Sequence, residues 1–330
     1  MAKMRLIKGA VNNVAEGVCL VKSAAVRSNS KGSDYLDLVL ADADGEIAAK
    51  LWDYDPVTNG VFYPEMIVKV RGTITVWKDS EQLRVDRIRA TTPEDGVDMS
   101  ALVPCAPFDS EWMFDQLMEC AAGFVDHDLT RLVQYILKQN KTALLKQPAA
   151  LKLHHAQHGG LLYHTLTMLR AAKALIDIYP ALDGDLVFAG VILHDIEKIN
   201  ELVAGPLGIA SGYSVAGQLI GHIAMGVAMV EKAASELQME GELATLLSHM
   251  LLSHHGTPEF GSPRPPMFPE AEVLHQLDVL DSKLFEMFAA LDGVEKGGFS
   301  ERIWALDNRQ LYQHGHNAAP ASKDAEEQER

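Results

Sequence analysis

The apolar pattern of this chain changes period once, near residue 95, and that change rules out any fold built from one kind of element. Before it, apolar residues alternate with polar ones in short runs at Tyr35–Leu40, Gly45–Leu51, Ile67–Val76 and Gln82–Arg89. Alternation sends successive side chains to opposite faces, which is the signature of half-buried strands. Turn residues separate the runs at Asp42-Ala43-Asp44-Gly45 and at Lys78-Asp79-Ser80-Glu81. Five or so such strands in the first 95 residues predict a small closed β-barrel. After the change, apolar residues recur every three or four positions, predicting helices at Trp112–Val125, Leu129–Gln139, Leu161–Tyr179, Asp185–Leu202, Val215–Leu237, Glu242–His254 and Glu270–Leu291.

Between the two regimes, residues 93–110 hold three prolines and follow neither period. The expected organisation is therefore a barrel over 1–95, a linker over 96–110, a helical domain over 111–313 and a polar, disordered tail over 314–330. Within the helical part, glycine-rich Ala204–Tyr213 reads as a loop or short hairpin, and Gly261–Pro269, with four prolines, as an irregular connector. At 330 residues and 48% apolar content the chain can bury two cores. Its N-terminus lacks the apolar stretch of a signal peptide, and no run reaches the roughly 18 apolar residues of a membrane span, so a cytoplasmic protein without membrane contact is expected. Cys19, Cys105 and Cys120 form no CxxC pair and read as reduced, mostly buried thiols.

A net charge of −16 speaks against a nucleic-acid partner until its distribution is considered. Residues 1–95 carry 13 basic and 14 acidic side chains, leaving 16 against 31 in residues 96–330, where all 13 histidines also lie. An acidic, histidine-rich half has the ligands that divalent cations require.

The pair His194-Asp195 stands at the end of the apolar run Val191-Ile192-Leu193. Burying an imidazole and a carboxylate there is costly unless something pairs with them, and a metal ion would. Asp195 has two oxygens and can bridge two cations, while His194 offers one a nitrogen. Further ligand candidates lie in apolar helical surroundings: His164, His222 between glycines, His254-His255 before Gly256, and Asp278. Seven side chains exceed one tetrahedral site, and with Asp195 shared they suffice for two ions. Any one of these histidines alone would read as a hydrogen-bonded core residue, which is the reading given to His127, His249 and His275. His154, His155 and His158 precede the first ligand, in a segment able to line the pocket and touch phosphate or to cap a helix.

The order His, His-Asp, His, His-His, Asp, with Lys198 completing an HDxxK motif, resembles the HD superfamily of metal-dependent phosphohydrolases over about residues 150–295. A narrower resemblance spans nearly the whole chain: LHHAQHGGLLYHTL, YLDLVLADADGEIAAKLWD and the segment Arg302–Arg309 are similar to the YhaM-type 3′-5′ exoribonucleases. It implies an α+β multidomain protein, with a five-stranded OB-type β-barrel followed by an all-α HD helical bundle. It also implies manganese-dependent removal of nucleotides from the 3′ end of single-stranded RNA, and of single-stranded DNA as well. One departure is Tyr163, where many relatives carry a glutamate. Asp278 is favoured over Asp281 as the last ligand, leaving Asp281 to accept a hydrogen bond from a ligand.

On this reading two ions, of Mn²⁺ or of Fe²⁺, Ni²⁺ or Co²⁺, activate water at phosphorus, with Asp195 between them and Lys198 set against a phosphate oxygen or in a salt bridge at a helix end. The barrel would grip the strand by stacking and by charge. Trp52, Tyr54, Phe62, Tyr63 and Trp77 are the aromatic candidates; Lys50, Lys69, Arg71, Lys78, Arg84 and Arg87 the basic ones; His155 and His158 would add contacts near the pocket. The simpler reading of most of the aromatics is core or turn. Two alternatives stay open: a hydrolase of a small nucleotide or cyclic dinucleotide, with the barrel used for regulation or homo-oligomerisation, and a nucleic-acid-binding regulator with a vestigial site.

Overall fold

The computed structural model describes residues 12–30, 32–42, 45–77, 80–151, 155–205 and 207–316. Lys78, His154 and the tail from residue 317 onward, on which expectations had been placed, lie outside the described residues.

Five strands form the N-terminal barrel: β1 (Val14–Ser28), β2 (Asp34–Asp42), β3 (Gly45–Trp52), β4 (Ile67–Trp77) and β5 (Ser80–Ala90). They close in the order β1-β2-β3-β5-β4, with β3 and β5 parallel and the other pairs antiparallel, which is the topology of an OB fold. Strand β1 has no clear alternation in its sequence, because Gly17, Ser23 and three alanines blur it. This strand closes the barrel. Its first half, Val14–Leu20, pairs with β4 and its second half, Leu20–Ser28, with β2, Leu20 pairing with both just before an irregularity in the β1–β2 register between Val21 and Ser23. Leu36, Leu38, Leu40, Val68, Ile74 and Leu83 fill the interior. Tyr54 and Phe62, flanking the single-turn helix α1 (Pro56–Asn59), are buried in the same core, so they are not available as base platforms. Tyr54 instead donates its hydroxyl to the Gly60 carbonyl at 2.8 Å.

The segment expected to be a linker is packed: Leu102 and Val103 are buried with Leu20 and Ala41 of the barrel and Leu207 of the helical part. Just before it, Asp95 receives two hydrogen bonds of 2.7 Å from Arg89. His158 pairs with this segment through its backbone, accepting from Ala106 and donating to Pro104.

The helical domain comprises α2 (Ser110–Ala122), α3 (His127–Leu144), α4 (Gly160–Ile178), α5 (Gly184–Leu193), α6 (Lys198–Glu201), α7 (Val215–Leu219), α8 (Gly221–Glu236), α9 (Leu243–Ser253) and α10 (Pro269–Leu291). A hairpin of β6 (Leu202–Ala204) and β7 (Ala210–Tyr213) stands where a loop or hairpin was expected. Aspartates cap the starts of α2, α3 and α5, each accepting from the first turn's amides. Two expected helices are split. The run Asp185–Leu202 stops at Leu193, and His194 to Glu197 form a turn before α6. The run Val215–Leu237 breaks at Gly221, whose φ of +79° is left-handed. Helix α5 is the axis of the bundle: Leu186, Val187 and Ala189 to Leu193 are all buried. Gly190 lets α9 approach, since a Cβ there would run into the Met250 side chain. Among the described residues no helix is long and apolar enough to cross a membrane.

Candidate metal centre

Because α5 is apolar on every face and central, the turn that ends it is delivered into the middle of the domain. His194 and Asp195 are accordingly buried, as are His164 from α4, His222 from the first turn of α8, His254 at the end of α9 and Asp278 from α10. The structure brings these six, together with His255, into one cluster. Asp195 lies at its centre. Its Oδ1 faces His222 Nε2 at 3.2 Å and His254 Nε2 at 3.7 Å, and its Oδ2 faces His194 Nε2 at 3.3 Å and His164 Nε2 at 3.8 Å. His164 Nε2 also lies 3.4 Å from Asp278 Oδ1 and 3.3 Å from His194 Nε2.

Every imidazole of the cluster is held by its other nitrogen. Nδ1 contacts the backbone carbonyl of Val191 in His194 (2.9 Å), of Leu251 in His254 (2.6 Å) and of Phe260 in His255 (2.7 Å). A carbonyl only accepts, so Nδ1 carries the hydrogen and a neutral ring presents Nε2 as a lone pair. Carboxylates do the same for the other two: Asp281 Oδ2 stands 2.7 Å from His164 Nδ1, and Glu201 Oε1 2.9 Å from His222 Nδ1. Glu201 also accepts the His222 backbone amide at 3.1 Å, a bond made possible because Gly221 restarts the helix there. This is the arrangement that orients metal-ligating histidines.

Three buried atoms of the cluster, Asp195 Oδ1, His222 Nε2 and His254 Nε2, have no hydrogen-bond partner. Buried polar atoms are paired in nearly all native structures, so this trio calls for an occupant. Two overlapping groups could hold a cation each: Asp195 with His222, His254 and His255, and Asp195 with His164 and His194. The donor set of imidazoles and carboxylates fits a divalent transition metal.

The electrostatics agree with that fit. Burial disfavours a charged His164, yet the carboxylates of Asp278 and Asp281 hold its ring up at about 9. The negative potential that does this is what a cation would draw on. Burial likewise opposes the Asp195 charge, but Lys198 and His194 keep its carboxyl well below the usual carboxylate range. Lys198 is buried and its Nζ sits 2.6 Å from Asp195 Oδ2, an ion pair rather than a free cation facing solvent. Burial and then the neighbouring His254 push His255 down to about 4, keeping it neutral at physiological pH.

Other sequence candidates fall elsewhere. His155, expected near phosphate, is buried, with its Nε2 2.9 Å from the same Asp281 oxygen that holds His164. Its ring is flanked by Phe285 at 4.0 Å and Tyr163 at 5.2 Å, and its φ of +54° is a strained conformation for a residue with a Cβ. It braces the cluster from behind. His158 Nδ1 is engaged by the Leu207 carbonyl at 3.0 Å. His275 Nδ1 contacts the His254 carbonyl, whereas His127, given a core reading, is exposed at the start of α3. Glu201 was missed altogether. On the barrel, Trp52 and Tyr35 form a tilted pair 4.7 Å apart with Lys50 Nζ over both rings, Trp77 and Tyr63 are exposed, and Arg71 and Arg84 point outward.

A buried cluster of this composition, built at the ends of an all-helical bundle, defines a metal-binding HD domain. The family model of the HD domain matches residues 161–283, a span that contains all seven candidate ligands. The chain belongs to the YhaM 3′-5′ exoribonuclease family. It is 43% identical to the 3′-5′ exoribonuclease YhaM of a Geobacillus species, over 89% of this chain and 90% of that protein. It is 40% identical to the Bacillus subtilis protein of that name, over 89% of this chain and 92% of that one. Identity to the Halalkalibacterium halodurans relative is 40% over 94% and 96%.

Proposed function

We propose that this chain is a divalent-metal-dependent 3′-5′ exoribonuclease, hydrolysing phosphodiester bonds of single-stranded RNA, and of single-stranded DNA as a secondary substrate, in the cytoplasm. The observation that carries this reading is the buried trio Asp195 Oδ1, His222 Nε2 and His254 Nε2, unpaired within a cluster whose other nitrogens are all engaged. His164, His194, Asp195 and Asp278 would hold one ion, and Asp195, His222, His254 and His255 a second, with Mn²⁺ the expected occupant. Bound there, the ions supply Lewis acidity to the scissile phosphate and its attacking water.

The chain's own residues do the rest. Asp281 and Glu201 fix the rings of His164 and His222, and three backbone carbonyls fix those of His194, His254 and His255. Lys198 neutralises Asp195 where burial would otherwise favour protonation, keeping it a ligand. The barrel supplies affinity for the strand: Trp52 and Tyr35 offer a surface for stacking, with Lys50 beside them.

The test is incubation of the protein and Mn²⁺ with 5′-labelled single-stranded RNA. A ladder shortening from the 3′ end, absent with Asp195→Asn, supports the reading. Intact RNA beside rapid cleavage of a cyclic dinucleotide would replace it with a small-nucleotide hydrolase.

A further inference from the structure

The outer face of β4 and β5 carries a feature unrelated to the stacking pair. In the antiparallel register Lys69 lies opposite Arg89 and Arg71 opposite Arg87, so four cations occupy adjacent positions on two neighbouring strands. Like charges directly opposite on a sheet repel, and such pairs need anions to be favourable. Two of the four have them. Asp95 takes two hydrogen bonds from Arg89 at 2.7 Å and sits 3.6 Å from Lys69, which is also 3.9 Å from Glu16. Asp86 is turned to Arg84, at 3.9 Å. Arg71 and Arg87 are exposed and make no ion pair or side-chain hydrogen bond with any described residue. They line a cleft of about 480 Å³ whose further walls include Thr58 and Asn59 of α1, with Glu16 and Asp86 its acidic members.

The geometry points to this cleft as a phosphate track, with Arg71 and Arg87 clamping the sugar-phosphate backbone of a single strand whose bases stack elsewhere on the barrel. The inference rests on the exoribonuclease reading and assigns a path that reading leaves open. Guanidinium groups are planar forks matched to phosphate oxygens, and two of them side by side, neither in an ion pair with a described carboxylate although Glu16 lies opposite Arg71 on β1, suit consecutive phosphates. Thr58 and Asn59 add hydrogen-bonding side chains at the edge. No aromatic side chain lines the cleft, so it can hold backbone but not bases. With the chain at −16 and its acid concentrated beyond residue 95, the near-neutral barrel that carries Arg71 and Arg87 is the half of the chain where a polyanion meets less repulsion.

The experiment uses the full chain with Asp195→Asn, so that labelled RNA stays intact, and compares it with the same protein carrying Arg71→Gln and Arg87→Gln. Both positions are exposed, and circular dichroism checks the fold. The expected result is RNA binding weakened at least about tenfold, with the slope of log Kd against log salt reduced by about 1.4, as loss of two phosphate contacts to a single strand requires. Trp52→Ala, by contrast, weakens binding without changing the slope. In the otherwise unsubstituted protein, Arg71→Gln with Arg87→Gln raises KM for long RNA. Unaltered affinity and slope overturn the track while leaving the exoribonuclease reading intact. So does a change of oligomeric state at constant RNA affinity, which assigns the cleft to the acidic surface of a second copy. Failure of the unsubstituted chain to shorten RNA overturns the parent reading.

Discussion

His155 Nε2 meets Asp281 Oδ2 at 2.9 Å, and that same oxygen receives His164 Nδ1 at 2.7 Å, so a residue nine positions before a candidate ligand sets its orientation through a carboxylate over a hundred residues away. His155→Ala is expected to lower Mn²⁺ affinity about 10- to 100-fold, the usual cost of losing such support. Calorimetric titration of the metal-free protein checks it. His155→Gln, which keeps an N–H within reach of Asp281, should recover part of the loss, whereas equal affinities for all three proteins would remove His155 from any positioning role.

The ion pair between Lys198 Nζ and Asp195 Oδ2 gives a second expectation. Replacing Lys198 by Met leaves a buried carboxylate without its cation and should destabilise the metal-free protein by about 3–5 kcal/mol. A divalent ion binds only the folded form and supplies the missing charge, so Mn²⁺ should raise the melting temperature more in the variant than in the wild type. Equal increments would mean that Lys198 and the ion do not share Asp195.

Asp95 carries a pH dependence outside the metal centre. Hydrogen bonds from Arg89 and from the Thr92 amide hold its carboxyl below the usual carboxylate range. A depressed folded pKa contributes stability that is present above the unfolded value, near 3.9, and is lost as pH falls through the folded one. Asp95→Asn should therefore melt below the wild type at pH 7, with the gap closing as the pH falls below about 4. Thermal melts of both proteins across that range would expose a constant gap if the ion pair is inert.

The thiols should be silent in the native state. Burial, with Asp42 adding to it, pushes Cys19 up to about 12, and burial pushes Cys120 up to about 11. At pH 8 neither forms appreciable thiolate, so a disulfide reagent should label both slowly until the chain is denatured. Rapid native labelling of Cys19 would show that β1 opens.

The period change at residue 95 made both halves of the fold legible, and the candidate ligands that the structure draws together were visible as polar residues set into apolar runs. What stayed hidden was decided by contacts across the chain. Strand β1 is specified by two neighbours, each taking half of it, and no local alternation records that. Glu201 looks like any acid ending a helix; only the left-handed Gly221 brings the His222 amide and ring onto its one oxygen. Tyr54 and Phe62 carry the same aromatic signal as Trp52, and the barrel interior claims the first two. His155 shared its sequence context with His154 and His158, and its role depends on α10, which arrives from far along the chain.

Leu102 and Val103, wedged against Leu20 and Ala41 on one side and Leu207 on the other, make the proline-rich segment a party wall and not a tether. Cutting the chain at residue 95 would bare that wall, and a barrel-less fragment would report the stickiness of uncovered leucine and valine together with any loss of grip on RNA. The contribution of the barrel is therefore to be measured by substitutions on its outside, with the joint left closed.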